Sequence, residues 1–263
     1  MVAEPVAIRA PAETGFQPRA VDIAAGAAGA AGARSLLINT PNNPTGAIYH
    51  AETLSGIAKV CRDHDLWLVS DEVYDSQVWT GRHLTPRALP AMAERTLVVG
   101  SMSKGHAMTG SRIGWICGPE AVIDHLANLS THTTYGVAGF IQDAALFALN
   151  RGRTFEAEVA APFRRRRQIT LDCLATQQVV RAVPPEGAMY AMLDIRATGL
   201  SGEDFATSLL DACDVAVMPG ESFGTAAAGH IRVAMTVDDR RYEDALRRTL
   251  GHAAELTGRK IPV

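Results

Sequence analysis

The amino-acid sequence predicts an α/β protein: a mostly parallel sheet covered by helices, followed by a smaller α+β domain. Three observations predict it. Short, continuous apolar runs at Ser35–Asn39, Leu66–Ser70, Arg95–Ser101 and Ile113–Cys117 read as strands buried on both faces rather than alternating ones. Helical periodicity separates them, most clearly in Ala51–His64, where Leu54, Ile57, Ala58 and Cys61 share one face. Beyond a long charged helix the pattern changes to shorter strands and helices. A length of 263 residues suits one large or two modest domains. We expect domains over 1–155 and 156–263, joined by a helix over about 154–176.

In chain order, Val6–Ile8 reads as half a strand and Glu13–Pro18 as a turn. Val21–Ala33 is rich in Ala and Gly, with Gly26, Gly29 and Gly32 three apart. Each Gly costs a helix about 1 kcal/mol against Ala. With no G-x-G core it is not a dinucleotide fingerprint, so it reads as a weak surface helix or loop. Thr40–Gly46, Thr-Pro-Asn-Asn-Pro-Thr-Gly, is a dense turn. Helices are expected at Pro119–Asn128, Gly139–Leu149 and Thr154–Thr176. The last contains Arg164–Arg167, which reads as a solvated face rather than an anion site. The second domain should hold strands at Val179–Val183, Met189–Ile195, Val215–Met218 and Ile231–Met235. Its helices should be Gly202–Ala212 and Asp238–Leu256.

Bulk properties narrow the function. Hydrophobic residues make up 47% of the chain, charged residues 20%, and the net charge is -3. This composition gives no reason to expect a nucleic-acid partner or an anionic membrane. No apolar run has membrane-spanning length, and no basic-then-apolar leader opens the chain. The four cysteines, Cys61, Cys117, Cys173 and Cys213, lack C-x-x-C spacing and read as reduced, mostly buried thiols of a cytoplasmic protein. The eight histidines show neither H-x-H nor H-E-x-x-H spacing, so no metal site is expected.

The chemistry gathers at strand ends, where open α/β sheets bind ligands. Asn43 lies in the turn after the first strand. Asp71 ends the second, with Tyr74 three residues on. Ser101, Ser103 and Lys104 follow the third, and Arg112 comes eight residues after Lys104. Alone, Lys104 would read as a solvated lysine and Asp71 as a helix cap. In this order, amine, carboxylate, hydroxyls and guanidinium read as one site. Gly220-Glu221-Ser222-Phe223-Gly224 matches the G-x-S-x-G nucleophile elbow. That motif needs a strand, a sharp turn and a helix. Here Pro219 precedes it and another strand follows quickly, so no hydrolase chemistry is expected at Ser222.

Four blocks carry a family resemblance: Pro41-Asn42-Asn43-Pro44-Thr45-Gly46, Ser70-Asp71-Glu72-Val73-Tyr74, Ser101-Met102-Ser103-Lys104 through Ala107-Met108-Thr109-Gly110-Ser111-Arg112-Ile113-Gly114-Trp115, and Gly229-His230-Ile231-Arg232-Val233. In content, order and spacing the chain resembles the class I/II pyridoxal-phosphate aminotransferases of the aspartate-aminotransferase fold (fold type I). The resemblance implies a three-layer αβα large domain and a smaller α+β domain, with pyridoxal 5′-phosphate as cofactor. It implies that Lys104 carries the cofactor as a Schiff base and shuttles the proton. Asp71 would accept from the pyridine N–H and keep that nitrogen protonated. Asn43 and Tyr74 would donate to the ring oxygen. Ser101 and Arg112 would hold the phosphate. Arg232, with Asn43, would bind the substrate carboxylate. Ser103, Glu72, His106 and Trp115 lie within the blocks without a role.

The implied function is ping-pong transfer of an amino group from an L-amino acid to a 2-oxo acid, in a homodimer. A pyridoxal-phosphate C–S lyase shares these blocks, and a non-catalytic association partner is a further reading. The resemblance starts near Val6. It implies that the family's N-terminal third lies ahead of the matched region, with its backbone phosphate cradle, ring-stacking aromatic and partner-donated tyrosine. The chain is therefore expected to be truncated, through an internal Met1 start or as a shortened paralogue.

Overall fold

The structure, a computed structural model, describes residues 4–29 and 32–258. Ala30 and Ala31 of the predicted Val21–Ala33 segment, and Met1, lie outside the described residues. Two compact units are present. The first takes the chain up to Ala10, Gln17–Pro41 and Ile48–Val159. The second takes Pro11–Phe16, Asn42–Ala47 and the chain from Ala160.

The first unit is α/β with a mostly parallel sheet. Its strands are β1 (Ser35–Asn39), β2 (Trp67–Asp71), β3 (Thr96–Ser101) and β4 (Gly114–Cys117), in that spatial order. β1, β2 and β3 run parallel, and β4 returns antiparallel to β3. Its helices are α1 (Ala20–Gly29), α2 (Ala51–Asp63), the single turn α3 (Met102–Gly105), α4 (Glu120–Thr133) and α5 (Gly139–Asn150). A further helix, α6 (Gly152–Ala175), crosses the division between the units. The core forms where the α2 stripe of Leu54, Ile57, Ala58 and Cys61 meets Ile38, Leu68 and Met92. Burying each large side chain contributes about 1.5–3 kcal/mol. This packing also rescues α1 despite its glycines: Ile23 is buried in the same core, with Ala24 and Ala27 against it.

Three expectations fail here. The strands are not buried on both faces: every residue of β4 is exposed, as is Leu37 of β1. Val6–Ile8 forms no strand; the backbone is irregular there, and β1 pairs only with β2 among the described strands. Ile8 instead packs side-on, its Cδ1 only 2.5 Å from where a Cβ on Gly26 would stand. The expected burial of the cysteines holds for Cys61 here and for Cys173 in the second unit, where Cys213 is partly buried, but Cys117 on β4 is exposed.

The second unit holds an antiparallel sheet of β5 (Arg181–Ala182), β6 (Tyr190–Asp194), β7 (Met218–Pro219) and β8 (His230–Ala234), ordered β5-β6-β8-β7. Helices α7 (Gly202–Cys213) and α8 (Asp239–Leu256) close a core of Phe205, Leu209, Leu193, Ile195, Ile231, Met235 and Leu246. The strand predicted over Val179–Val183 shrinks to β5 because the Gln177 side chain takes the N–H groups of Val179 (2.7 Å) and Val180 (2.8 Å). The arginine run is a solvated face only in part: Arg164 and Arg165 are exposed, while Arg166 and Arg167 are partly buried. Arg165 and Arg166 both donate to Asp239 at 2.8 Å, Arg166 also to Met235 O, and Arg167 to Pro185 O.

The Asn-Pro-Thr-Gly turn belongs to this unit. Gly46 sits at φ +72°, where a Cβ would stand 2.8 Å from Tyr190 O. Its carbonyl accepts from the N–H groups of Glu186 and Gly187, each at 2.8 Å. Among the described residues no helix is long and apolar enough to cross a membrane.

Candidate active site

Strand register assembles one group of side chains in the first unit. Asp71, the last residue of β2, pairs with Val99 of β3, two residues before Ser101. Ser101 pairs with Gly114 at the start of β4, two residues after Arg112. The ends of β2 and β3 and the entry to β4 therefore share one sheet edge. Lys104 follows at once on α3, a helical turn the sequence reading did not anticipate. Ser101 caps that turn, its Oγ accepting from Ser103 N at 3.0 Å. Gly100 is required beside it, since an added methyl would overlap the Trp115 indole. Trp115 thus acquires a packing role.

The electrostatics of this edge are unbalanced in an informative way. Asp71 is half-buried, and burial pushes its carboxyl up, with the Glu72 charge adding to the effect. One backbone bond, from Val73 N at 3.2 Å, opposes this. Among the described residues no cation pairs with Asp71, and neither carboxylate nor hydrogen-bond acceptor takes the Lys104 ammonium. Arg112 stands exposed in a left-handed conformation (φ 51°) and, among the described residues, donates only to Thr109 O, at 3.0 Å. Tyr74 is buried. A carboxylate short of a cation, a free amine and an exposed guanidinium match a ligand with a protonated ring nitrogen, an aldehyde and a phosphate. The donor set fits pyridoxal phosphate.

Glu72, given no role from sequence, is buried and doubly bonded. His83 Nε2 lies 2.8 Å from its Oε2, and Thr85 Oγ1 donates to its Oε1 at 2.9 Å. It anchors the loop that follows Asp71. His106 is also buried, with Nε2 at 3.5 Å from Glu156 Oε1.

The second unit brings together the other two predicted residues. Arg232 Nη1 donates to Asn43 Oδ1 at 3.0 Å, across 189 positions of chain. The Arg232 guanidinium carbon lies 4.6 Å from the Tyr190 ring centre and 4.9 Å from that of Phe223. Neither ring was singled out from sequence. Tyr190 could have been found as the strand neighbour of Met192, which pairs with Arg232. Phe223 lay inside the G-x-S-x-G pattern, where attention falls on the serine. Ser222 is exposed on a 3-10 turn (Gly220–Phe223), and another such turn rather than an α-helix follows it.

The expected residues thus form two groups: Asp71, Tyr74, Ser101, Lys104 and Arg112 in one unit, and Asn43 with Arg232 in the other. Comparison with known proteins identifies the family. A family model described as "Aminotransferase class I and II" matches residues 3–248. Arginine–pyruvate transaminase AruH of Pseudomonas aeruginosa is 43% identical over 254 residues, covering 97% of this chain and 64% of the relative. Aspartate/prephenate aminotransferase of Thermus thermophilus is 39% identical over 230 residues, covering 86% of this chain and 57% of the relative. The crystal structure of an aromatic aminotransferase from Pyrococcus horikoshii superposes with a TM-score of 0.89 at 32% identity, covering 96% of this chain and 68% of that one. The chain therefore spans less than two thirds of either curated relative.

Proposed function

Because the chain belongs to the class I and II aminotransferases, we propose that it binds pyridoxal 5′-phosphate at Lys104 and moves an amino group from an L-amino acid to a 2-oxo acid. The observation that carries this reading is Asp71, a half-buried carboxylate without a cation among the described residues, beside the strand that leads into Lys104. When bound, pyridoxal phosphate supplies an aldehyde and an electron-withdrawing ring for the amino-group exchange.

The chain's own residues do the rest. Asp71 holds a proton on the ring nitrogen by offering it a desolvated negative charge. Lys104 Nζ would hold the cofactor, and as a free amine it would carry the proton to and from the substrate α-carbon. Tyr74 orients the ring oxygen. Arg112, planar and always charged, suits a bidentate grip on phosphate, with the Ser101 hydroxyl at the same sheet edge. Arg232 receives the substrate carboxylate, pre-aligned by Asn43. We further propose a homodimer in the cytoplasm. The exposed Phe140 (76%) and Phe147 (68%) of α5 support a second copy as cover.

The test is spectroscopic. Purified chain mixed with pyridoxal phosphate should develop an absorbance band that is missing in Lys104→Ala. No band, or one that survives the substitution, overturns the reading. With a band in hand, amino-acid and 2-oxo-acid pairs are screened, beginning with arginine and pyruvate, the pair named for a relative.

A further inference from the structure

Arg232 is held in an unusual way for a half-buried cation. Among the described residues no carboxylate reaches it, and it donates to the neutral Asn43 alone. Its Nε is buried without an acceptor. What surrounds it instead are the rings of Tyr190 and Phe223. A guanidinium is weakly hydrated on its faces and packs well on aromatic rings, whereas a protein carboxylate would occupy its N–H edge. Rings can therefore hold the cation and leave that edge for a ligand.

The two rings are anchored differently. Tyr190 belongs to β6, the strand beside β8. Phe223 sits on the turn after β7, whose Met218 and Pro219 pair with Arg232 and Ile231. Such a turn needs its own restraint, and Glu221 supplies one. Its Oε1 accepts from Gly202 N, at the start of α7, and from Gly229 N, ahead of β8, each at 3.0 Å. Burial raises the Glu221 carboxyl, but these N–H bonds outweigh it and the net direction is down. An ionised Glu221 thus pins the turn to the start of α7 and to the residue that leads into the strand carrying Arg232.

We propose that Phe223, fixed by Glu221, is a positioning residue for Arg232, aligning its guanidinium edge to receive a monocarboxylate. This rests on the reading of Arg232 as the substrate-carboxylate clamp.

The test follows the Arg232 Nε–H resonance in the ¹⁵N-labelled full chain, assigned by its loss in Arg232→Lys, during titration with propionate. Propionate should shift the resonance saturably. Phe223→Leu should reduce its ring-current displacement to the share that Tyr190 contributes and weaken propionate binding roughly 3- to 30-fold, the range of a ring–cation contact. Phe223→Trp should restore both. Glu221→Ala, which keeps the ring but frees the turn, should weaken binding in the same direction. Unchanged binding in Phe223→Leu, no rescue by Trp, or no propionate response at Arg232 overturns the proposal. The Lys104-dependent band is measured separately on the same samples. Its absence overturns the transaminase reading while leaving the propionate result readable.

Discussion

Asn43 Oδ1 accepts a hydrogen bond from Arg232 Nη1 at 3.0 Å, joining the Asn-Pro-Thr-Gly turn to the middle of a strand 189 positions later. The amide orients the guanidinium without neutralising it. Asn43→Ala should therefore raise KM for amino acid and 2-oxo acid together, since both carry the carboxylate, by roughly tenfold for one lost bond. Asn43→Asp should do worse, because an ion pair would then compete for the guanidinium. Half-reactions measured in each direction check this; a rise confined to one substrate contradicts it.

Asp71 should show opposite signs in stability and in function. Burial raises its folded-state pKa above the ordinary 3.8. A group raised in this way contributes stability below its unfolded value, and that contribution is lost as pH climbs through the folded value. Without cofactor, wild type and Asp71→Asn should be equally stable below pH 3.8, and Asp71→Asn should become the more stable as pH rises. With cofactor the order reverses, because the amide cannot hold the ring proton. Turnover should then fall roughly 10- to 150-fold, the equivalent of one charge-assisted bond. Denaturant titrations across pH and single-turnover rates supply the two readouts.

The contrast between these residues shows what was legible in sequence. Asp71 ends, and Lys104 follows, a strand whose apolar run is unmistakable, so their positions at the sheet edge could be read directly. Asn43 and Arg232 were also legible as residues, through their motifs. Their mutual bond was not, because it depends on how Gly46 docks the turn against Glu186 and Gly187. Phe223 and Glu72 were hidden for another reason: each acts through partners far along the chain or in an irregular loop. Val6–Ile8 misled because an apolar triplet has strand propensity whether or not a pairing edge exists for it. The arginine run misled because a charge pattern does not reveal Asp239 at the start of a later helix.

Glu72 should prove structural. Its side chain is buried and meets His83 and Thr85 at 2.8 and 2.9 Å. Glu72→Ala strands both partners and should destabilise the fold by about 2–5 kcal/mol. Glu72→Gln keeps one acceptor and should recover part of that loss. Urea unfolding with an unchanged m-value would show that the effect lies in the native state.

The last prediction links packing to the cofactor. Gly100 pairs with Trp115 across β3 and β4, and a methyl at Gly100 would overlap the indole. Gly100→Ala must therefore displace either the ring or the strand, at a cost of about 1–3 kcal/mol. If the strand moves, Ser101 and the α3 turn move with it, and pyridoxal phosphate affinity should fall alongside stability. Trp115→Ala removes the obstacle. The double variant should thus recover both quantities relative to Gly100→Ala, giving a favourable coupling in a double-mutant cycle. Recovery of stability without recovery of affinity would mean that the ring, not the strand, yields, and that the end of β3 holds Lys104 independently of its neighbour.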